Sequence, residues 1–439
     1  MAMKAYESYK NVDLPWLKRV PEHWEIATVN TLFSNNEEKN EQCTVTNAYQ
    51  FKFGKIVKKP NFELTNDLIE TYKNYAVIRP NDIMINGLNL NYDFVTQRVG
   101  IVQEPGIITS SYISIRPYIS TNAKFYTYLF KAWDAQKVFN GMGTGIRRTL
   151  SWKELKQITI PVPPKEEQDQ IVRYLDWQNS RLNKLINAKK REIALLEEQK
   201  QALISQAVTK GLDPHAPLKD SGIDWIGQIP EHWLLCNLKY LCSMKSGKNL
   251  TSIQITENGP YPVYGGNGVR GYYSQYNVSG KCLIIGRVGA LCGNVHHFDG
   301  EFWVTDNAFI VEVFNYICVK YLYYLLTAMK LNKYVPKTAA QPVLSTSNLL
   351  FKKACVPPLG EQRKIANYLD NQCIFIDNLI NNINKTISLL QEYRTRLVAD
   401  VVTGQIDVRH IAIPNYETIT ETIDQPEADE DSTICTEDQ

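Results

Sequence analysis

The chain has 439 residues, 44% of them apolar, 21% charged and 11% aromatic, which is the composition of an ordinary soluble protein with two or more domains. No basic start followed by an apolar run predicts a signal peptide, and charges interrupt the most apolar stretch, which argues against a membrane span. The nine cysteines form no Cys-x-x-Cys pair and no paired Cys/His spacing. This favours reduced thiols, a cytoplasmic location and no structural metal site.

The charge is distributed unevenly along the chain. Nine acidic residues and no basic ones lie from Glu417 to Gln439, so the preceding residues carry +11, because the whole chain carries +2. A modestly basic body is expected of a nucleic-acid binder, although many solvated surfaces are equally basic. The acidic end, with its Pro and Thr residues, predicts a disordered tail over residues 409–439.

Two phrases occur twice in the chain. "PWLKRVPEHWEI" from Pro15 matches "DWIGQIPEHWLL" from Asp224 at an offset of 209 residues. "PVPPKEEQDQIVRYLD" from Pro161 matches "CVPPLGEQRKIANYLD" from Cys355 at an offset of 194, and this offset continues without a gap into "AVTKGLD" and "VVTGQID". The chain is therefore two copies of one unit, each with a divergent domain followed by a closely matched segment.

The repeat predicts seven segments in chain order. They are an N-terminal segment that completes the repeat (1–23), a first divergent domain (24–160), a first helical segment (161–210), a linker (211–232), a second divergent domain (233–354), a second helical segment (355–408) and the acidic tail (409–439).

Each divergent domain is predicted to mix strands and helices. "IMING" and "LIIGR" are apolar runs typical of strands, and "IITSSYISI" parallels "WVTDNAFIV". Helices are expected in "AKFYTYLFKAWDAQKVFNG" from Ala123 and "VKYLYYLLTAMKLNKYV" from Val319. The predicted fold class is α+β, with two mixed domains joined by two long helices.

The matched segments are predicted to be those helices. Each follows a Pro-Pro pair, which suits a helix start, and Glu166, Glu167 and Glu361 complement its positive end. Spacings of four and three give a seam at 182, 186, 189, 193, 196, 200, 203 and 207, and the same register recurs from 376 to 401. This pattern predicts a coiled coil between the helices.

The link between the helices indicates their direction. A helix from Glu166 to Val208 is about 65 Å long at 1.5 Å per residue, and only about 20 residues separate its end from the second divergent domain. An antiparallel pair needs only this short link, so we predict a pseudo-two-fold coiled-coil spacer with one domain at each end. The N-terminal segment should lie near the end of the second helix.

Loops rich in Gly, Asn and basic residues occur in both divergent domains. Such loops approach phosphates through Gly and base edges through Arg and Asn, although each one taken alone is more often an ordinary turn. The candidate DNA contacts are Asn86, Asn89, Arg98, Arg147, Arg148, Lys248, Asn249, Asn267, Arg270, Arg287 and Lys337.

The paired "PEHW" phrases, the "PP..EQ..I..YLD" phrases and "YVPKTAAQPVLSTSNLLFKKACVPP" closely resemble the specificity (S) subunits of type I restriction-modification systems. The resemblance covers about Tyr9 to Asp407. It implies that each divergent domain is a target-recognition domain reading one half of a bipartite site on double-stranded DNA. It also implies that the helical segments act as spacer and dock two methyltransferase (M) subunits, with nuclease-translocase (R) subunits joining the full complex.

The same resemblance implies that cofactors belong to the partners. S-adenosylmethionine, ATP and magnesium are expected only in partner subunits, and none in this chain. The candidate docking or spacer residues are those of the repeated phrases: Glu167, Gln168, Tyr174, Glu361, Gln362 and Tyr368.

The sequence predicts no catalysis by the isolated chain. It has no Asn/Asp-Pro-Pro-aromatic motif, and "SGKN" from Ser246 lacks the residues of a phosphate-binding loop. His296 and His297 are expected to be ordinary surface or loop histidines, and His23 and His232 to be structural. Two alternatives stay open: a self-contained nuclease or methyltransferase with unrecognised motifs, and a two-headed scaffold that binds proteins.

Overall fold

The computed structural model describes residues 4–14, 16–52, 54–60, 65–91, 97–143, 148–266, 268–289, 292–335 and 343–421. The chain divides into a first unit, Met1–Lys189 with Lys385–Gln439, and a second unit, Lys190–Asn384. Each unit contains one divergent domain and part of both long helices. The compact units therefore differ from the predicted segments, which separated the helices from the domains.

The first unit is built of short strands and short helices. Its strands are β1 (Tyr9–Leu14), β2 (Leu17–Pro21), β3 (Glu25–Thr28), β4 (Phe33–Asn35), β5 (Tyr49–Lys52), β6 (Lys55–Lys58), β7 (Ala76–Ile78), β8 (Ile83–Ile85), β9 (Val99–Ile101), β10 (Gly106–Ile108), β11 (Ile113–Pro117) and β12 (Thr159–Val162). Its short helices are α1 (Val29–Leu32), α2 (Asn66–Lys73), α3 (Ala123–Ala135) and α4 (Trp152–Leu155).

Two long helices run through both units, and the second unit repeats the plan of the first. The long helices are α5 (Lys165–Lys210) and α8 (Leu359–Val402). The strands of the second unit are β13 (Leu218–Asp220), β14 (Gln228–Pro230), β15 (Leu234–Asn237), β16 (Cys242–Ser246), β17 (Tyr261–Gly265), β18 (Gly268–Tyr273), β19 (Val278–Ser279), β20 (Cys282–Gly286), β21 (Val295–Phe298), β22 (Glu301–Val304), β23 (Ala308–Val313) and β24 (Lys353–Val356). Its short helices are α6 (Val319–Ala328) and α7 (Thr346–Leu350).

Both units contain the same four-stranded antiparallel sheet. Its order is β4-β11-β8-β9 in the first unit and β16-β23-β20-β21 in the second. Ile85 lies opposite Ile113 in one sheet, and Ile285 lies opposite Phe309 in the other. Aligning "IMING" with "LIIGR" places Ile85 at Ile285, and aligning "IITSSYISI" with "WVTDNAFIV" places Ile113 at Phe309. The faint sequence similarity between the divergent domains therefore reflects the same strand register.

The two domains differ outside this sheet. The first unit adds the two-stranded pairs β5-β6 and β7-β10, whereas the second adds a four-stranded sheet of order β18-β17-β22-β19. These additions occupy the stretches where the sequence copies differ in length and similarity.

Within each unit the long helices run antiparallel, as predicted. In the first unit Gln170 Nε2 donates to Val408 O over 3.1 Å, and Arg394 Nη1 donates to Asn183 Oδ1 over 3.1 Å. In the second unit Lys200 Nζ lies 2.7 Å from Asp377 Oδ1. Every predicted seam position is buried or half-buried, because the spacing of three and four residues keeps one stripe against the partner helix.

The N-terminal segment completes the first unit, as the repeat predicted. The hairpin β1–β2 pairs Tyr9 with Pro21, and β13–β14 pairs Leu218 with Pro230, at the same offset of 209 residues. The backbone N–H of Asp407 donates to the carbonyl of Lys4 over 2.8 Å. The start of the chain therefore lies beside the end of α8.

A glycine ends this helix at a place where no side chain fits. Gly404 has φ +72°, and a Cβ there would collide with the ring of Pro21 and lie 3.1 Å from Trp24. A left-handed residue after the last helical turn is the usual glycine position. Gly211, after α5, has φ +76° and packs on Trp233 in the same way.

The prediction of a disordered tail was wrong for residues 409–421. They follow an extended path along α5, fixed by hydrogen bonds from that helix to their carbonyl groups. Residues 422–439 lie outside the described part. In the described ranges, no helix is long and apolar enough to cross a membrane.

The seam supplies the first testable prediction. Ile186 is fully buried on the seam, whereas Leu389 is 65% exposed on α8 of the same unit. Ile186→Ala should lower the free energy of unfolding by about 2–5 kcal/mol, because a buried side chain leaves a cavity, and Leu389→Ala by no more than about 0.5 kcal/mol. Urea unfolding followed by circular dichroism compares them. Equal losses would show that the seam does not hold the helices together.

Candidate nucleic-acid interface

In the first unit, the loop after β8 meets the segment that precedes α4. The backbone N–H of Leu150 donates to Gly87 O over 2.9 Å, and Leu90 N–H donates to Arg148 O over 3.1 Å. This brings the exposed Asn89 and Arg148 to one edge of the domain, with Asn86 half-buried beside them.

Two of these residues have left-handed backbones. Asn89 has φ 52° and Arg148 has φ 36°, a region that non-glycine residues seldom occupy. Residues in this region cluster at functional sites, which supports both as candidates.

Arg98 was predicted to contact DNA, and the structure contradicts this. Its side chain is 1% exposed, and its guanidinium donates to Asn86 O over 3.1 Å and to Leu88 O over 2.7 Å. Its backbone N–H donates to Asp134 Oδ2 over 2.7 Å. Arg98 supports the loop from inside, because a buried guanidinium needs several acceptors.

The second unit repeats the arrangement with different residues. The backbone N–H of Leu344 donates to Arg287 O over 2.9 Å, which is the counterpart of the bond from Leu150 to Gly87. Arg287 therefore stands where the first unit has glycine. Its guanidinium lies 5.5 Å from the Phe309 ring centroid, and its Nε has no hydrogen-bond partner among the described residues.

Other candidates gather around Arg287. The loop after β16 carries Lys248 and Asn249, both exposed, and Ser246 Oγ lies 3.5 Å from Arg287 Nη1. Lys248 N–H donates to Val304 O over 3.0 Å, which fixes the loop on the neighbouring sheet. The result is a cationic edge on the second domain.

Arg270 is also exposed and lies against Gly265 of the same sheet, where a Cβ would stand 2.6 Å from Arg270 Cδ. The remaining three candidates, Arg147, Asn267 and Lys337, lie outside the described residues.

The repeated phrases form the joint between each domain and its long helix. In the first unit the buried carboxylate of Glu167 accepts hydrogen bonds from Tyr6 Oη at 2.5 Å, His23 Nε2 at 2.7 Å and Trp24 Nε1 at 3.0 Å. Burial, together with the bond to Glu167, raises the pKa of Tyr6, so its hydroxyl keeps its proton and donates.

The second unit has the same joint with one donor fewer. Glu361 accepts from His232 Nε2 at 2.8 Å and from Trp233 Nε1 at 3.0 Å. The "PEHW" phrase and the "EQ" phrase are thus two halves of one contact. The structural role predicted for His23 and His232 is confirmed.

The glutamine that follows each glutamate caps the helix start. Gln168 Nε2 donates to Pro163 O over 2.8 Å, and its Oε1 accepts from Asn122 N–H at 3.1 Å. Gln362 likewise donates to Pro357 O over 2.9 Å and accepts from Cys318 N–H at 2.8 Å. Each glutamine therefore joins the start of its long helix to the start of the domain helix.

A third contact recurs about two turns further along. Asp176 accepts from Lys124 at 2.7 Å and from Tyr128 at 2.7 Å. Asp370 accepts from Lys320 and, at 2.8 Å, from Tyr324 in the second unit.

The predicted docking residues divide by exposure. Glu167, Gln168, Tyr174 and Gln362 are buried, so a spacer role fits these four, and direct contact with a partner does not. Glu361 is partly exposed and Tyr368 is 39% exposed, and a docking role for these two stays a prediction.

His296 and His297 lie on β21 rather than in a loop, and both are half-buried. His296 stacks on Phe298 and His297 faces Tyr323, so the neighbours point to opposite faces of the strand. Burial lowers the pKa of both imidazoles.

The model of the family described as type I restriction modification DNA specificity domain matches residues 21–195 and 230–389, well over half of the chain. The chain belongs to this family.

Individual relatives agree with this membership. The chain is 38% identical over 149 residues to the Escherichia coli type I restriction enzyme EcoprrI specificity subunit, covering 33% of this chain and 36% of that protein. It is 23% identical over 424 residues to the Methanocaldococcus jannaschii MjaVIII specificity subunit, covering 90% of this chain and 95% of that protein. It thus spans about a third of the first relative's length and nearly all of the second's.

A solved chain has the same fold. It comes from work on "complex assembly and conformational transition of the type I R-M system", with a TM-score of 0.64, 15% identity and coverage of 88% of this chain and 99% of that chain. The α+β fold class with two recognition domains and long helices is confirmed. As a member of the type I specificity family, the chain is a DNA-binding, non-catalytic component, as predicted.

The joint gives a matched pair of tests within one chain. Glu167→Gln removes one acceptor from a buried site with three donors, so a buried donor is left unpaired at a cost of about 1–3 kcal/mol. Glu361→Gln should cost less, because its site is more exposed and has two donors. Urea unfolding, together with hydrogen exchange of residues 17–24 and 226–233, measures both. A larger loss for Glu361→Gln would contradict the assignment.

The cationic edge gives a second test. Lys248→Ala should lower affinity for duplex DNA and reduce the slope of log K against log salt by about 0.9, the value for one lost phosphate contact. Lys281→Ala is the control, because Lys281 precedes β20 whereas Arg287 follows it, and it is exposed beside Asp299. Fluorescence anisotropy with a random duplex measures both slopes. Equal slopes for the two variants would show that the DNA backbone does not contact the edge that carries Lys248.

Proposed function

We propose that this chain is the sequence-reading subunit of a type I restriction-modification complex and reads a bipartite, asymmetric duplex site, one half with each recognition domain. Family membership supports DNA specificity as the general role. The two-part reading rests on the repeat, because two domains of one plan and different surfaces suit two different half-sites.

One observation carries the proposal: the candidate loops occupy the same place in both domains. The bond from Leu150 to Gly87 and the bond from Leu344 to Arg287 have the same length and the same position after the central strand. This backbone position is Gly87 in the first domain and Arg287 in the second, so one domain presents bare backbone and the other a guanidinium group. Arginine reads guanine through two parallel hydrogen bonds, whereas glycine admits close approach of the backbone.

The partners in this proposal are two methyltransferase subunits and the restriction-translocase subunits, in a cytoplasmic complex. S-adenosylmethionine, ATP and magnesium would be bound by those partners and not by this chain. The exposed Tyr368 and Glu361 lie on the part of α8 where a methyltransferase subunit would dock.

Two other functions remain distinguishable by experiment. A self-contained nuclease or methyltransferase would act on DNA with magnesium and S-adenosylmethionine when the purified chain is alone. A protein-binding scaffold would show no salt-dependent DNA binding, alone or with methyltransferase subunits.

A domain exchange tests the proposal. The exchanged segment is 25–162, which contains both strands of the β3–β12 pair and leaves Trp24 bound to Glu167. Its replacement is the equivalent segment 234–356. This segment keeps the joint, because it brings Lys320 and Tyr324 to bind Asp176. Genome-wide mapping of methylated adenines, in a host with the methyltransferase partner, should then show two copies of the second half-site. The unaltered chain should show two different half-sites.

The spacing serves as an internal control. The exchange leaves both long helices intact, so the number of base pairs between half-sites should not change, whereas inserting four residues in each helix, roughly one turn, should change it. An exchange that altered both half-sites would refute the two-module reading.

A further inference from the structure

The C-terminal segment 409–421 is held on α5 by a row of side chains. Ser180 Oγ donates to Glu417 O over 2.6 Å and accepts from Ile419 N–H at 2.8 Å. Asn183 Nδ2 donates to Ile419 O over 2.7 Å, and Asn187 Nδ2 donates to Thr420 O over 2.9 Å. Three donors at spacings of three and four residues lie on one helix face, so they follow the extended segment along the helix.

The end of the described segment is held by charge. Glu421 accepts from Arg394 Nη1 at 2.8 Å and from Gln391 Nε2 at 3.2 Å. Nearer the start of the segment, Gln170 Nε2 donates to Ile411 O over 2.9 Å, and Ile411 and Ile413 pack against the core of the first unit. The segment is therefore fastened at both ends and along its length.

The equivalent face of α8 in the second unit is more exposed. Ser180 is 5% exposed, whereas its counterpart Ile374 is 61% exposed. The helix face that the segment covers in the first unit is therefore open in the second.

The open face does not suit the same occupant. Ile374 replaces the donor Ser180, and Asp377 replaces the donor Asn183 with an acceptor that already pairs with Lys200. Asn381 still stands where Asn187 does, but the other two donors are gone, and Ile374 and Phe375, both about 60% exposed, give the face an apolar surface. A second copy of the C-terminal segment would find one equivalent donor there instead of three.

We infer that residues 415–421 are an intramolecular cover that makes the two methyltransferase docks unequal: the first methyltransferase subunit binds the open face in the second unit, and the second must displace the cover from α5. This inference rests on the proposed function, since it takes the methyltransferase subunit as the occupant. The occupant of the open face presents apolar side chains to Ile374 and Phe375.

The cover lowers affinity because it occupies the face that the partner must bind. For a partner that binds only when the cover has left, the apparent Kd equals the intrinsic Kd divided by the fraction of molecules without the cover in place. A cover in place nine-tenths of the time therefore weakens the second step about tenfold.

The test compares two truncations in the full complex. Native mass spectrometry and isothermal titration with the methyltransferase subunit should show two binding steps for the unaltered chain, the second weaker than the first. Stopping the chain after Pro414 removes the cover but keeps Ile411 and Ile413, and should tighten the second step about tenfold or more. Stopping after Glu421 keeps the cover and is the matched control, with the second step unchanged.

A substitution tests the same contact in the full-length chain, in case the truncated chain misfolds. Ile419→Pro removes the N–H that donates to Ser180 and should also tighten the second step while circular dichroism stays unchanged. Two equal steps in the unaltered chain, or no tightening in either variant, would overturn the cover while leaving the proposed function intact. Failure of every form to bind any methyltransferase subunit would overturn the proposed function instead.

Discussion

The architecture depends on a carboxylate at the start of each long helix. A buried carboxylate is costly unless donors surround it, and Glu167 meets three of them from the N-terminal segment and the "PEHW" phrase. Glu361 meets the same two residue types in the second unit. Because these donors come from the chain just before each domain, the one contact closes the domain onto its helix.

This joint explains how the domains can differ so widely. The glutamate, the following glutamine and the aspartate about two turns later fix the entry and exit of the chain in both units. With the ends fixed and the central sheet in one register, the loops beyond the sheet are free to change. Gly87 and Arg287 show the outcome, since the same backbone position carries no side chain in one domain and a guanidinium in the other.

The spacing of apolar residues predicted the long helices and their register, and the repeated phrases predicted that the N-terminal segment completes the first unit. Prediction failed where burial depends on the fold. Arginine is a residue type typical of DNA contacts, but only the fold shows that backbone carbonyls enclose the guanidinium of Arg98. The segment 409–421 has a composition typical of disorder, but Ser180, Asn183 and Asn187 bind its backbone, and backbone groups leave no signal in the sequence.

The two units differ in what packs beside the joint and along the long helix. In the first unit Tyr6 adds a third donor to Glu167, and the segment up to Glu421 lies over Ser180 and Asn183. Among the described residues of the second unit, Glu361 accepts from two side chains, and Ile374, the counterpart of Ser180, is 61% exposed. The joint and the central sheet recur, so the asymmetry between the units lies in the segments added around them.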